Sequence, residues 1–458
     1  MAKNLLLFSL ISIFFMLFID IWTILFSFLV YILGFCLILL FSSNNSKYEL
    51  RIYQTLYSFG SLYIYSCALY MSNNNFQYLL AWDIENYFLP NVKYFLEFNN
   101  FFEAQKENWK NFNLLSRYQS GYFAYLIPFA YLSNFIGSNL YLSMQFSTLL
   151  IACFSGVLVN KLILLNGISR NEAYKFTLII FLCSVVFFYS TQLLRDIQVM
   201  FFYLLAIYFT FKSDFSFKNL LKIIAIILIS CTLRVETGLF LAITIPIYLY
   251  LTVQKGKKRD LALLSSILVF LIFVFVIGVK FNEIMQLLQN NSEYYLESDK
   301  GTGVIGLLQS IPVLGSVLAI IYNAIQPFPF WLKLSNAFDI NRPEMYNIMV
   351  FPLAIASFFN FIVLVFISYF IINNKVRDKV LIEIKKPLIL NIYAGLLYLY
   401  IQATVIDQRR LMAYYIIFYI LFFIILRTLS LKDRKNILLI SCILYFSLQF
   451  IAFIIKAV

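Results

Sequence analysis

Apolar runs about twenty residues long, separated by short polar breaks, fill most of this 458-residue chain. A hydrocarbon layer about 30 Å thick takes about 20 residues of α-helix to cross, so the pattern predicts a bundle of membrane-spanning helices. Three of the breaks carry arginine beside a carboxylate. The run from Ser184 to Phe211 is interrupted at Arg195-Asp196, and Ile223 to Leu233 abuts Gly238 to Leu251 at Arg234-Val235-Glu236. Leu388 to Ile406 abuts Leu411 to Ile425 at Asp407-Gln408-Arg409-Arg410. Each predicts a hairpin that turns at a membrane surface. The first run, Asn4 to Phe41, predicts another hairpin, turning at Asp20; it is too long for a signal-peptide core and has no small-residue cleavage box.

Charge assigns the sides, because cytoplasmic loops collect Lys and Arg. Six clusters stand out: Lys47 and Arg51; Lys161, Arg170 and Lys175; Lys212, Lys218 and Lys222; Lys255 to Arg259; Lys375 to Lys386; Arg427 to Lys435. With Lys3 they hold 22 of the 35 basic residues but only 7 of the 22 acidic ones. The clusters are therefore expected inside, and the three charged turns, Asp83 and the Tyr294 region outside. Parity then limits the crossings. If Gly121 to Ile136 and Leu140 to Val159 both spanned, Lys161 to Lys175 would be expelled, so one does not. Gly121 to Ile136 is the shorter, contains Pro128 and is rich in Tyr, which marks an interfacial or re-entrant helix. Gly303 to Ile325, with Pro312 inside and Gln326-Pro327-Phe328-Pro329-Phe330-Trp331 behind it, is expected to be re-entrant or surface-lying for the same reason. The expected fold is all-α and polytopic, one transmembrane domain over residues 1–458 with about 13 spans. Its amino end is inside, its carboxyl end outside, and two larger external loops cover 72–118 and 282–347.

Composition agrees and narrows the chemistry. With 62% hydrophobic and 12% charged residues the chain lies far from soluble globular averages. The formal charge of +13 sits in short clusters between apolar runs and not on one basic face, which disfavours a nucleic-acid partner. Histidine is absent, so a Ser-His-Asp relay, an HExxH zinc site and a histidine base are all excluded. No Walker loop or helix-opening GxGxxG is present. Cys36, Cys67, Cys153, Cys183, Cys231 and Cys442 all fall inside apolar runs without CxxC spacing, which reads as packing. Glu293, Glu297 and Asp299 lie close together but lack the spacing of a recognised metal loop.

The arginines are the strongest chemical signal. Arg195, Arg234, Arg409 and Arg410 on three outward turns form a cationic basin, and guanidinium forks bind phosphate oxygens in pairs. Asp196, Glu236 and Asp407 can neutralise these arginines locally, Arg195 with Asp196 and Arg234 with Glu236. A lipid-linked phosphate would lie in the basin with its tail in the bilayer, and the arginines would hold charge on the departing group. A carboxylate must then activate an acceptor hydroxyl. Asp83, one helical turn before Tyr87 in Trp82-Asp83-Ile84-Glu85-Asn86-Tyr87, is the first candidate, with Asp196, Glu236 and Asp407 behind it. Trp82, Tyr87 and Tyr122 offer flat faces for sugar rings, and Arg117 offers an external phosphate contact or a snorkelling anchor.

These elements resemble Wzy-type oligosaccharide repeat-unit polymerases. The likeness rests on an outward Asp83 followed by Tyr87 after an early span, the segment Arg117 to Tyr125 before a short helix, Ser190 to Asp196 at a span end, and Arg409-Arg410 with Tyr414-Tyr415. The order of spans is also similar to the wider GT-C glycosyltransferases. The resemblance implies an enzyme of the bacterial inner membrane that joins undecaprenyl-diphosphate-linked oligosaccharide repeat units on the periplasmic side. It implies O-antigen-type polysaccharide synthesis with no cofactor, nucleotide sugar or required metal. It implies as partners the lipid-linked glycan, membrane lipid, a flippase and a chain-length regulator. A GT-C transferase using a polyprenyl-monophosphate sugar needs the same basin. A lipid-linked-sugar transporter would instead call for polar residues through the central spans and an internal duplication, and neither is found.

Overall fold

Asp20 ends the first apolar run by capping the second helix: its Oδ1 accepts the Thr23 N–H at 2.7 Å. In the computed structural model this gives the expected hairpin of α1 (Ala2–Phe15) and α2 (Ile21–Phe41). The structure describes residues 2–41, 46–73, 84–110, 120–212, 217–252, 320–322, 324–326, 329, 346–384, 388, 391–396 and 408–457. The remaining helices are α3 (Ser46–Asn73), α4 (Leu89–Phe95), α5 (Phe101–Lys110), α6 (Ser120–Ile136), α7 (Leu140–Leu165), α8 (Arg170–Cys183), α9 (Val185–Ser190), α10 (Asp196–Lys212), α11 (Phe217–Leu233) and α12 (Val235–Thr252). After them come α13 (Tyr346–Ile372), α14 (Asn374–Glu383), α15 (Gln408–Thr428) and α16 (Leu431–Ala457). No strand occurs among the described residues.

Among the described residues, five helical stretches are long and apolar enough to cross a membrane: Ile21–Phe41, Leu140–Leu165, Phe351–Ile372, Leu411–Thr428 and Leu431–Ile454. Their burial differs sharply. Leu140–Leu165 is 78% and Leu411–Thr428 83% buried, against 22% for Leu431–Ile454, so α7 and α15 are interior helices and α16 is peripheral. α7 packs against α2, α3, α6, α8 and α10. Tyr hydroxyls tie α3 to α2: Tyr53 donates to the Tyr31 carbonyl at 2.8 Å, and Tyr57 to the Ser27 carbonyl at 2.8 Å. In hydrocarbon such bonds satisfy groups that water cannot reach.

The described residues of the basic clusters gather at one end of the bundle; Lys255 to Arg259, Lys385 and Lys386 fall outside the described residues. Glu49 at the start of α3 pairs with Lys161 near the end of α7 at 3.3 Å. Lys161 and Lys212, the latter closing α10, both lie about 6 Å from the Tyr208 ring. Arg427 near the end of α15 donates to the Gly167 carbonyl in the α7–α8 turn at 3.3 Å. α13 runs parallel to α15, with Phe359 against Tyr419 and Phe366 against Phe422, so α14 and its lysines start from this end too.

The opposite end holds the α1–α2 turn, where Thr23 Oγ1 accepts the Asn139 N–H at 2.8 Å just ahead of α7. Both ends of α6 lie here. Its last residue, Ile136, leads through Gly137 (φ 79°) into α7, and at its start Gly121 packs so tightly on Thr232, near the end of α11, that a Cβ would overlap the threonine. Along its length α6 is bonded to α5, whose sequence FFEAQKENWK is too polar for hydrocarbon. Gln105 donates to the Ala124 carbonyl at 2.9 Å, and Asn108 and Ser120 exchange bonds at 3.0 Å. These contacts place α6 against a polar helix, and α6 is not among the apolar helices long enough to span. The segment expected as the first external loop contains, among its described residues, a π-helical turn (Ile84–Phe88), α4 and α5. The Gly303 to Ile325 segment and the loop 282–347 fall largely outside the described residues.

Candidate functional site

The apolar run broken at Arg195-Asp196 ends its first limb at Ser190, and Thr191 to Arg195 turn without helix before Asp196 opens α10. The next break is tighter: Arg234 alone separates α11 from α12. The local pairing expected from sequence is replaced by one between hairpins. The Arg234 guanidinium binds the Asp196 carboxylate, and both side chains are more than nine-tenths buried. Glu236, the neighbour expected to neutralise Arg234, is exposed on the first turn of α12.

The third hairpin reaches the same place. The Tyr203 ring, about 10 Å along α10 from Asp196, meets Tyr414, about 9 Å along α15 from Gln408, with centroids 4.6 Å apart. Phe240, about 8 Å along α12, meets the same Tyr414 ring at 5.7 Å. Equal depths, with the far end of α15 bonded at the basic end through Arg427, put the amino termini of α10, α12 and α15 at one end, each a source of partial positive charge. The backbone of Gln408 to Arg410 lies there; the side chains of Arg409 and Arg410 fall outside the described residues.

Two further residues shape the turn. Gln145, a buried amide in the apolar run of α7, donates from Nε2 to the Thr191 carbonyl at 2.9 Å and to the Tyr141 hydroxyl at 3.1 Å. It props the segment that carries Arg195, which is half-buried. From α6, Tyr122 is within electrostatic reach of both Asp196 and Arg195. Its ring is fully buried against Phe88 at 4.9 Å, so no face is open to a sugar, but its hydroxyl makes no hydrogen bond. Thr237, one turn into α12 from Arg234, is likewise buried with a hydroxyl that makes no hydrogen bond.

No protein-family model, curated protein or solved structure matches this chain. What the site can do therefore rests on its own residues. Of the sequence candidates, the structure brings Arg195, Asp196, Arg234 and Tyr122 together, with the α15 backbone at Arg409 and Arg410 at the same end. Tyr87 is half-buried against Phe88 and Phe123, on the chain that covers the start of α6. Asp83, Trp82, Arg117 and Asp407 lie outside the described residues. Among the described residues no three His, Cys, Asp or Glu side chains gather as a metal site. Gln145 and Thr237 escaped the sequence reading. The signal for Gln145 was present, because an amide in the middle of an apolar span needs a partner inside the protein.

Proposed function

We propose that this chain is a membrane glycosyltransferase that polymerises undecaprenyl-diphosphate-linked oligosaccharide repeat units on the periplasmic side of a bacterial inner membrane. The observation that carries it is the meeting of two arginine-bearing turns through the buried Arg234–Asp196 pair, at the end where three helix amino termini converge. That end is the one away from the lysine clusters, which favours the non-cytoplasmic face. It is also recessed. The 17 residues of α10, from Asp196 to Lys212, span about 25 Å, less than the about 30 Å hydrocarbon layer. A lipid phosphate could thus reach Arg195 while its tail stays among acyl chains.

In this scheme Arg195, with Arg409 and Arg410 on the neighbouring helix terminus, holds the diphosphate as it leaves. The bond from the anomeric carbon to the diphosphate oxygen breaks, the acceptor oxygen forms the new bond to that carbon, and the acceptor's proton passes to a carboxylate. Asp196 is committed to Arg234, so this proton acceptor is sought among Asp83, Glu236 and Asp407. Arg234 acts through position, locking the two turns together. Incubating purified protein with a lipid-linked repeat unit and resolving products on a gel tests the proposal. Wild type yields a ladder, and Arg195→Ala, losing one charge-assisted contact worth about 1.5–3 kcal/mol, yields about 10- to 100-fold less. A normal ladder from Arg195→Ala overturns it.

A further inference from the structure

The end of the bundle away from the arginine turns gathers like charges. Lys161 of α7 and Lys212 of α10 both hold their ammonium groups about 6 Å from the Tyr208 ring. Lys222 of α11 lies 5.5 Å from the ring of Phe209, which is 5.7 Å from that of Tyr208. Three cations from three helices thus meet around two adjoining rings. Among the described residues Glu49 answers them, paired with Lys161, and no ion pair reaches Lys212 or Lys222. Asp214, in the turn between α10 and α11, lies outside the described residues. Like charges held together repel, and an anion seated beside them removes that cost. Depth and surroundings select the anion. Lys161 stands about 32 Å along α7 from Leu140, the thickness of the hydrocarbon layer, which puts its ammonium at the headgroup level. Lys212 and Lys222 are exposed, and so is Lys218, one turn before Lys222. Helical spacing puts Leu221, Leu228 and Ile229, all exposed, on the face of α11 that carries Lys218 and Lys222. That face is cationic at its head and apolar toward the bilayer centre, which matches a phosphate with an acyl chain beneath it. A soluble phosphate leaves the apolar part unused.

We infer that Lys212 and Lys222, backed by Lys161, bind the phosphate of an anionic phospholipid in the leaflet at the basic end, with an acyl chain along Leu221, Leu228 and Ile229. Basic side chains at a membrane surface attract anionic headgroups, and here three helices focus them on one place. The site is independent of the function proposed above. It occupies one end of the α10–α11 hairpin, at whose other end Asp196 and Arg234 meet. A lipid held there ties the hairpin to α7 through Lys161.

The full-length protein in a neutral detergent provides the test. Phosphatidylglycerol and phosphatidylcholine with the same acyl chains serve as anionic and neutral probes, and inorganic phosphate as the soluble one. Native mass spectrometry counts the lipid retained, and the thermal midpoint follows occupancy, because a ligand of the folded state stabilises it. Wild type should retain phosphatidylglycerol over phosphatidylcholine, and phosphatidylglycerol alone should raise its midpoint. Lys212→Gln combined with Lys222→Gln should retain about 30-fold less phosphatidylglycerol. Both lysines are exposed and in no ion pair among the described residues, so the fold does not depend on them. Lys212→Arg combined with Lys222→Arg keeps the charge and should keep the lipid. Lys435→Gln, at the same end on the peripheral α16, should behave as wild type. Equal retention of the two lipids by wild type overturns the site, as does equal retention of phosphatidylglycerol by wild type and the uncharged double variant. A matching loss in Lys435→Gln would reduce the effect to diffuse attraction by the whole basic end, and overturns the site too. A midpoint raised as far by inorganic phosphate would give the lysines to a soluble anion and remove the lipid.

Discussion

Arg234 takes its counter-ion from another hairpin: its guanidinium binds Asp196, 38 positions earlier, while the adjacent Glu236 stays exposed. Breaking a buried ion pair by removing one partner leaves a desolvated charge and costs about 3–5 kcal/mol, whereas replacing both partners with apolar groups is often neutral. Arg234→Met should therefore lower the thermal midpoint strongly, and Arg234→Met combined with Asp196→Leu should recover most of the loss. Unfolding curves of the three proteins in one detergent measure the coupling. Additive losses would mean that the pair does not tie the hairpins.

Gln145 acts on the same turn from the other side. Gln145→Leu keeps the volume of the side chain but removes the donor to the Thr191 carbonyl, a buried acceptor whose bond is worth about 1–3 kcal/mol. The carbonyl can then turn away, and Arg195, four residues on, loses its fixed position. Polymer yield should fall about tenfold while the thermal midpoint drops only modestly, read from gel ladders and unfolding curves on the same preparation. Unchanged yield would assign Gln145 to packing alone.

The topology is open to direct labelling. Asn99, in the α4–α5 turn, and Asn134, near the end of α6, are exposed at one end of the bundle; Asn171 and Lys435 are exposed at the other. In a protein whose six cysteines have been replaced, Asn99→Cys and Asn134→Cys should react with an impermeant maleimide in spheroplasts. Asn171→Cys and Lys435→Cys should react only after permeabilisation. Protection of Asn134→Cys alone would mean that α6 crosses the membrane after all.

Much of this architecture was legible because hydrocarbon admits few solutions. Apolar length and charged breaks locate the Asp20 turn and the turns at Arg195 and Arg234, since each follows from local composition. The partner of Arg234 was not legible. Sequence proximity favours Glu236, and only the packing of α10 against α11 and α12 brings Asp196 closer. The burial of the Tyr122 ring was not legible either, because the contact that hides it comes from Phe88 on a segment distant in sequence. Thr237 carried no signal at all: a threonine in an apolar helix usually bonds a carbonyl one turn back, as Thr244 does to Phe240 at 2.8 Å.

At the basic end, the Glu49–Lys161 pair should respond unequally to the removal of its two members. The Glu49 side chain is 4% exposed and that of Lys161 23%, at 3.3 Å. Lys161→Met takes the ammonium from a carboxylate that has little access to water, a loss of about 3 kcal/mol or more. Glu49→Gln leaves a lysine whose four-carbon stem can carry its charge toward the surface, and whose ammonium also lies over the Tyr208 ring, so the cost is smaller. The midpoint of Lys161→Met should therefore fall below that of Glu49→Gln. The reverse order would mean that the carboxylate is the better hydrated partner, and that the start of α3 lies nearer the membrane surface than the end of α7.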